Sequence, residues 1–325
     1  MTPAEPVWGE AVAALDAASD VALACHLGPD GDALGSLLAL AHGLTRLGKR
    51  VVASWGSDPF QVPPLYAFLP GLDLLSPPSE FPAKPELLVT FDTGSIDRLG
   101  TLAASAEAAG AVIVVDHHAS NTGYGTIDLV DPDAAASVVL VDELLRRLGV
   151  PIDADIAACL YTGLTTDTGS FKYQATTPDV HAFAGRLLAT GIDHAAIARE
   201  VWDTNRFAYV KLLGILLERA TLDAERSLVW TWSTQADFSV YGVGMDDIEG
   251  AIDVLRTTVE AEVAVILKET PDGHYAVSMR AKGATDVGAI CVALGGGGHR
   301  YAAGFTSHAD LGTTMDRLRA ALDAR

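Results

Sequence analysis

AVIVVDHHASNTGYG, residues 111–125, decides the architecture of this 325-residue chain. Ala111 to Val115 is an unbroken apolar run rich in β-branched side chains, the pattern of a central parallel strand covered by helices on both faces. Asp116, His117 and His118 stand where that strand stops, and open α/β sheets bind their ligands at the carboxyl ends of their strands. A capping Asp and two surface imidazoles would suit an ordinary strand-end turn equally well. Recurrence of the pattern separates the two readings, and Asp-rich ends recur at three other places in the chain.

VALAC, 21–25, reads as a strand after a short Ala-rich helix over 9–19, and it ends in HLGPDGDALGS, 26–36. Pro29, Asp30 and Gly31 suit a tight turn, and Asp32 suits the cap of an apolar helix over 33–47 that Gly48 closes. Such a turn occurs anywhere, but His26, Asp30 and Asp32 put three residues of metal-ligand type within seven residues at a strand end. Arg50 to Trp55 reads as a second strand, and the proline-rich 59–85 as a loop with little regular structure. ELLVTF, 86–91, is another buried-type strand that delivers Asp92 into DTGSIDRLG, ahead of a helix over 99–109 that Asp92 could cap. Arg98 falls where it would flank a phosphate bound at the sheet edge. A helix over 137–148 is stopped by Gly149, and another begins at Asp153 and ends at Asp167. A carboxylate there opposes the helix dipole, a placement that a metal ion would explain.

Bulk properties set the outer limits. The length exceeds the roughly 250–300 residues at which single cores stop growing, so two domains are expected. With 49% hydrophobic and 20% charged residues the chain is a globular α/β candidate, not a disordered one. Its 42 acidic against 22 basic residues, net charge −20, argue against long duplex nucleic acid, which needs an extended cationic surface; a short anion held locally remains compatible. Cys25, Cys159 and Cys291 lack paired spacing, which predicts neither a disulfide framework nor a zinc ribbon and suits a reducing compartment. No charge-free apolar run reaches ~18 residues and the first residues lack a secretory pattern, so the chain is expected to be cytoplasmic and off the membrane.

The texture changes from residue 221. SLVWTWST, AEVAVILKE and HYAVSMRAK read as strands, with helices over 246–257 and 286–294, and together they suit a smaller α/β domain. In GGGGHRYAAGF, 295–305, consecutive glycines free the main chain to approach a ligand or to aim several N–H groups at an anion. The expected organisation is a first domain over 1–190, a helical connector over 191–220 and a second domain over 221–325.

Taken together, HLGPDGDALGS, FDTGSIDRLG, VVDHHASNTGYG and TGLTTDTGSF, with SMRAKG and GGGGHRYAAG after them, resemble the DHH phosphoesterases with an associated C-terminal domain. That superfamily contains RecJ-type exonucleases and the compact nanoRNase/pAp phosphatases, and the two-domain length suits the latter branch. The resemblance implies a parallel-sheet N-terminal domain with helices on both faces, a smaller α/β associated domain and an active site in a cleft between them. It implies two Mn²⁺ in preference to Mg²⁺, held by His26, Asp30 and Asp92 on one side and by Asp32, Asp92, His117 and Asp167 on the other. Asp116 would orient an imidazole, and His118, Arg98 and Asn121 would serve the substrate, as would Arg280, Gly296, Gly297, Gly298 and His299 from the second domain. The implied substrates are short RNA, pApA or pAp; cyclic di-AMP is the alternative, and a homodimer is left open. A nucleotide-binding sensor without turnover and a pyrophosphatase-like enzyme are the readings from other classes.

Overall fold

The structure is a computed structural model that describes residues 3–324, with only the main chain of Asp246 and His299 described. It divides into two compact units, one ending at Thr204 and one beginning at Asn205. In the first unit the elements are α1 (Glu5–Ala17), β1 (Asp20–Cys25), α2 (Gly31–Arg46), β2 (Arg50–Trp55), β3 (Leu87–Phe91), α3 (Ala103–Glu107), β4 (Ala111–Asp116), β5 (Ile127–Val130), α4 (Ser137–Arg147), α5 (Ala154–Asp167), α6 (Pro178–Leu188) and α7 (His194–Trp202).

The strands form a wholly parallel sheet in the order β2-β1-β3-β4-β5. Because strand side chains alternate, each central strand feeds two cores. Val21, Leu23, Val89, Phe91, Ile113 and Val115 pack into the larger core, and Ala22, Ala24, Leu88, Val112 and Val114 into the smaller one on the other face. The chain leaves β1 in opposite directions toward β2 and β3, so the crevice of a doubly wound sheet opens between the carboxyl ends of β1 and β3.

Helix α2 is the buried axis of the larger core. Leu34, Leu37, Leu38, Leu40 and Leu44 are fully buried, and a buried Leu contributes roughly 1.5–3 kcal/mol. The helix lies unusually close to α5 because a side chain at Gly35 would come within 2.4 Å of the Cys159 carbonyl oxygen. That approach brings the start of α2 beside the end of α5.

The second unit contains α8 (Phe207–Arg219), β6 (Thr221–Asp223), β7 (Leu228–Ser233), α9 (Gln235–Tyr241), α10 (Ala251–Arg256), β8 (Val263–Glu269), β9 (Tyr275–Ala281), α11 (Val287–Ala293), β10 (Gly297–His299), β11 (Ala302–Ser307) and α12 (Leu311–Asp323). Its sheet runs β10-β11-β9-β8-β7-β6 and is antiparallel apart from the β7–β8 pair. Alternation again feeds two cores, one with Val265, Val277 and Met279 against α11 and α12, the other with Val229, Ala264 and Ile266 against α8 and α10.

The boundary between the units falls within 191–220, with α7 in the first unit and α8 in the second. Local structure departs from the sequence-based expectation in several places. The helix expected over 99–109 is a 3₁₀ stretch, Ile96–Leu102, broken at Gly100 (φ 58°) before the short α3, because Gly100 sits tightly against Leu27 and the Gly56 carbonyl. The glycine run is half strand: Gly297–His299 pairs with Ala302–Gly304, and a side chain at Gly296 would come within 2.1 Å of the Gly304 oxygen. Gly296 and Gly298 therefore serve close packing inside a hairpin. Asp32 is not the cap of α2, since Asp30 accepts from the main-chain N–H groups of Asp32 and Ala33, both at 3.0 Å. Nor does Asp92 cap a helix, because Ser95 takes that position.

Candidate metal centre

The crevice at the switch of strand order is lined by residues at the carboxyl ends of β1, β3 and β4. His26 comes directly after β1, Asp92 directly after β3, and Asp116, His117 and His118 at the end of β4. The α2–α5 contact adds Asp30 and Asp32 from one side and Asp167 from the other. Asp92 adopts a left-handed conformation (φ 52°) while its N–H donates to the Val115 carbonyl at 2.9 Å. A non-glycine residue in that region is uncommon, and such strain is typically kept where a side chain must be aimed.

The Asp92 carboxylate is divided between two groups. Oδ2 lies 3.4 Å from His26 Nε2, which is 3.9 Å from Asp30 Oδ1. Oδ1 lies 3.4 Å from His117 Nε2, which is also 3.0 Å from Asp167 Oδ2 and 3.9 Å from Asp32 Oδ2. Candidate ligand atoms of His26, Asp30 and Asp92 fall within 4.8 Å of one another, as do those of Asp32, His117 and Asp167, and those of Asp92, His117 and His118. Asp32 is fully buried and Asp92 nearly so.

Two observations test whether these residues fit a cation. First, His26 Nδ1 donates to the Leu27 carbonyl at 2.8 Å and His117 Nδ1 to the Ala134 carbonyl at 3.2 Å. Each ring thereby turns Nε2 toward carboxylate oxygens, the tautomer that ligates metal. Second, the carboxylates are crowded beyond what they tolerate unaided. Burial, then the charges of Asp167 and Asp92, pushes Asp32 well above the usual carboxylate range. Burial, partly offset by His117, takes Asp167 to about 6. Burial acts on Asp92 in the same direction, but hydrogen bonds from His117 and His26 overcome it and hold that carboxyl well below its usual range. Burial likewise opposes charge on His26, yet Asp92 and Asp30 outweigh it and raise it to about 9. Protons or a cation must compensate such a cluster. The imidazole and carboxylate donors fit a divalent transition-type ion.

Beside the cluster, Asp116 is fully buried and accepts from His118 Nδ1 and from Asn121 Nδ2, both at 2.6 Å. Arg98 is exposed; its main-chain oxygen accepts from Leu27 N–H at 2.9 Å, which ties its segment to the residue after His26. Arg280, Gly296, Gly297, Gly298 and His299 belong to the second unit. There Arg280, Ala302 and His299 occupy one register row of β9, β11 and β10. The Arg280 guanidinium is half-buried and donates to the Met279 carbonyl at 3.1 Å, while the side chain of His299 lies outside the described residues.

Sequence reasoning missed two contributors. Ser137, read only as a helix start, touches two of the carboxylates. Tyr66, from the proline-rich segment, is buried near Asp30, and burial together with that charge pushes its phenol up. Neither stands in a cluster of chemistry-bearing residues, so no local signal marks them.

A doubly wound sheet with paired imidazole–carboxylate clusters at its switch point suits divalent-metal chemistry on a ligand bound at that edge. The DHH family N-terminal domain matches residues 20–164, and the DHHA1 domain matches 237–325. A Thermus thermophilus protein named bifunctional oligoribonuclease and PAP phosphatase NrnA is 34% identical over 87% of this chain and 83% of its own length. The Bacillus subtilis protein of the same name is 24% identical over 86% of each chain. The chain therefore belongs to the DHH family and is a phosphoester hydrolase with an associated DHHA1 domain. Among solved structures, an exopolyphosphatase-related protein from Bacteroides fragilis has the same fold, with a TM-score of 0.90, 23% identity and coverage of 99% of this chain and 96% of that one. RecJ from Thermus thermophilus in complex with Mn²⁺ shares it more distantly, with a TM-score of 0.57, 16% identity and coverage of 99% of this chain and 55% of that one. Among the described residues no helix is long and apolar enough to cross a membrane.

Proposed function

We propose that the protein hydrolyses short oligoribonucleotides and 3′-phosphoadenosine 5′-phosphate, using two Mn²⁺ ions that share Asp92. The observation that carries this reading is the Asp92 carboxylate itself, with one oxygen toward His26 and Asp30 and the other toward His117 and Asp167. The names of the Thermus and Bacillus relatives support the substrate class.

His26, Asp30 and Asp92 would hold one ion, and Asp32, Asp92, His117 and Asp167 the other. When bound, such a pair supplies a nucleophile near neutral pH and neutralises charge on the phosphoryl group. The chain's own residues do the rest. Asp116 holds the His118 ring through Nδ1, which leaves Nε2 as the edge that meets a phosphate oxygen. Asn121 fixes Asp116 in turn. Arg98 supplies an exposed cation near the crevice. From the second unit, Arg280, His299 and the main chain of Gly296, Gly297 and Gly298 are assigned to the end of the substrate. A net charge of −20 disfavours tracking along a long polyanion, so the preferred substrate is short.

Kinetics on a ladder of 5′-phosphorylated RNAs, with pAp, cyclic di-AMP and pyrophosphate alongside, tests the proposal. Dinucleotide and pAp should turn over fastest with Mn²⁺. Equal rates on two-residue and twenty-residue RNA, or turnover confined to cyclic di-AMP or pyrophosphate, would refute it.

A further inference from the structure

Ser137 is fully buried at the first turn of α4 and binds two carboxylates at once. Its N–H donates to Asp32 Oδ2 at 2.6 Å, and the next N–H, of Val138, donates to Asp32 Oδ1 at 2.9 Å. Its hydroxyl donates to Asp92 Oδ1 at 3.1 Å. We propose that Ser137 is a positioning residue for the carboxylate that serves both metal sites, and that α4 locks the two sites to each other through it.

The Asp92 backbone is fixed by its left-handed conformation, but the last torsion of an Asp side chain is soft and roughly two-fold. Rotation about it would move Oδ1 and Oδ2 away from their separate groups together. The imidazole nitrogens of His26, His117 and His118 stand farther off, at 3.4, 3.4 and 3.5 Å, and the first two are the nitrogens assigned to the ions. The Ser137 hydroxyl comes closer than these, takes one lone pair of Oδ1 and adds no charge. At the same time the first two N–H groups of the same 11-residue helix hold both oxygens of Asp32 in place. A shift of α4 would thus displace ligands of both ions. Loss of the hydroxyl should loosen both sites together, whereas a change at His26 strikes one.

This inference rests on the metal centre proposed above, and binding measurements separate the two. Mn²⁺ affinity of the chelator-stripped full chain is measured by calorimetry for the parent, Ser137→Ala and Ser137→Thr, with metal-free melting temperatures and kcat and KM at saturating Mn²⁺. Ser137→Ala should keep its melting temperature within a few degrees, bind Mn²⁺ about 10–100-fold more weakly at both sites, and lose kcat with little change in KM. Ser137→Thr, which keeps the hydroxyl, should bind Mn²⁺ more tightly than Ser137→Ala. Parental Mn²⁺ affinity in Ser137→Ala, or a fall in melting temperature with affinity untouched, would overturn the proposal. A parent chain that binds no Mn²⁺ would overturn the metal centre itself, and the role of Ser137 with it.

Discussion

Stripping the metal should invert how the protein's stability responds to pH. Without a cation, Asp167 is raised from 3.8 to about 6 and His26 from 6.5 to about 9. A raised carboxyl contributes most when protonated, so its stabilisation is full below its ordinary value near 4 and is lost as pH rises through about 6. A raised imidazole contributes fully below 6.5 and loses that contribution as pH rises through about 9. Both act in one direction between pH 5 and 9, and Asp32, also raised, joins them, while the depressed Asp92 acts only in acid. Each shift of two or so pKa units corresponds to ~3 kcal/mol. Because these groups share partners, their sum is held to about 3 kcal/mol, or roughly 6–12 °C in melting temperature for a unit of this size. Metal binding requires the deprotonated ligands, so the gain from Mn²⁺ should grow over the same range. Differential scanning calorimetry at pH 5, 7 and 9, with chelator and with Mn²⁺, measures both trends. A metal-free melting temperature that is flat or rises from pH 5 to 9, or a Mn²⁺ gain no larger at pH 9 than at pH 7, would refute the reasoning.

Four substitutions probe the centre and the packing that supports it. Asp92→Ala should cut kcat/KM at least ~100-fold, and the parent should lose activity in chelator and regain it best with Mn²⁺, as read in a dinucleotide assay. Asp116→Asn should lower kcat yet leave Mn²⁺ affinity within a few-fold, because it disturbs the hold on His118 and Asn121 without deleting an ion's ligand; His117→Ala should weaken both, as calorimetry and kinetics would show. Gly35→Ala should cost about 1–3 kcal/mol in urea unfolding, since its new methyl meets the Cys159 carbonyl of α5, and should weaken Mn²⁺ binding through the displaced Asp32.

The residues at strand ends were legible because each one interrupts a run that would otherwise be buried. His26, Asp92 and His117 come after VALAC, ELLVTF and AVIVV, so position in the chain translates directly into position at one edge of a sheet. Asp30, Asp32 and Asp167 were legible from composition and from an unfavourable helix end, although the division of labour was not: Asp30 caps α2 and Asp32 is held by α4. Edge strand β5 escaped notice because Asp128 interrupts its four residues. The β10–β11 hairpin was hidden by glycines, which carry no strand propensity. Ser137 was invisible for a different reason. Its partners Asp32 and Asp92 lie 105 and 45 residues away, and only the packing of α4 against the carboxyl edge of the sheet brings them together.

Anomalous diffraction at the manganese edge, from crystals of the full chain soaked in Mn²⁺, tests the shared-carboxylate centre most directly. Two peaks roughly 3.5–4 Å apart are expected, one contacted by His26, Asp30 and Asp92 and the other by Asp32, Asp92, His117 and Asp167. A single peak, or two peaks of which one makes no contact with Asp92, would contradict it.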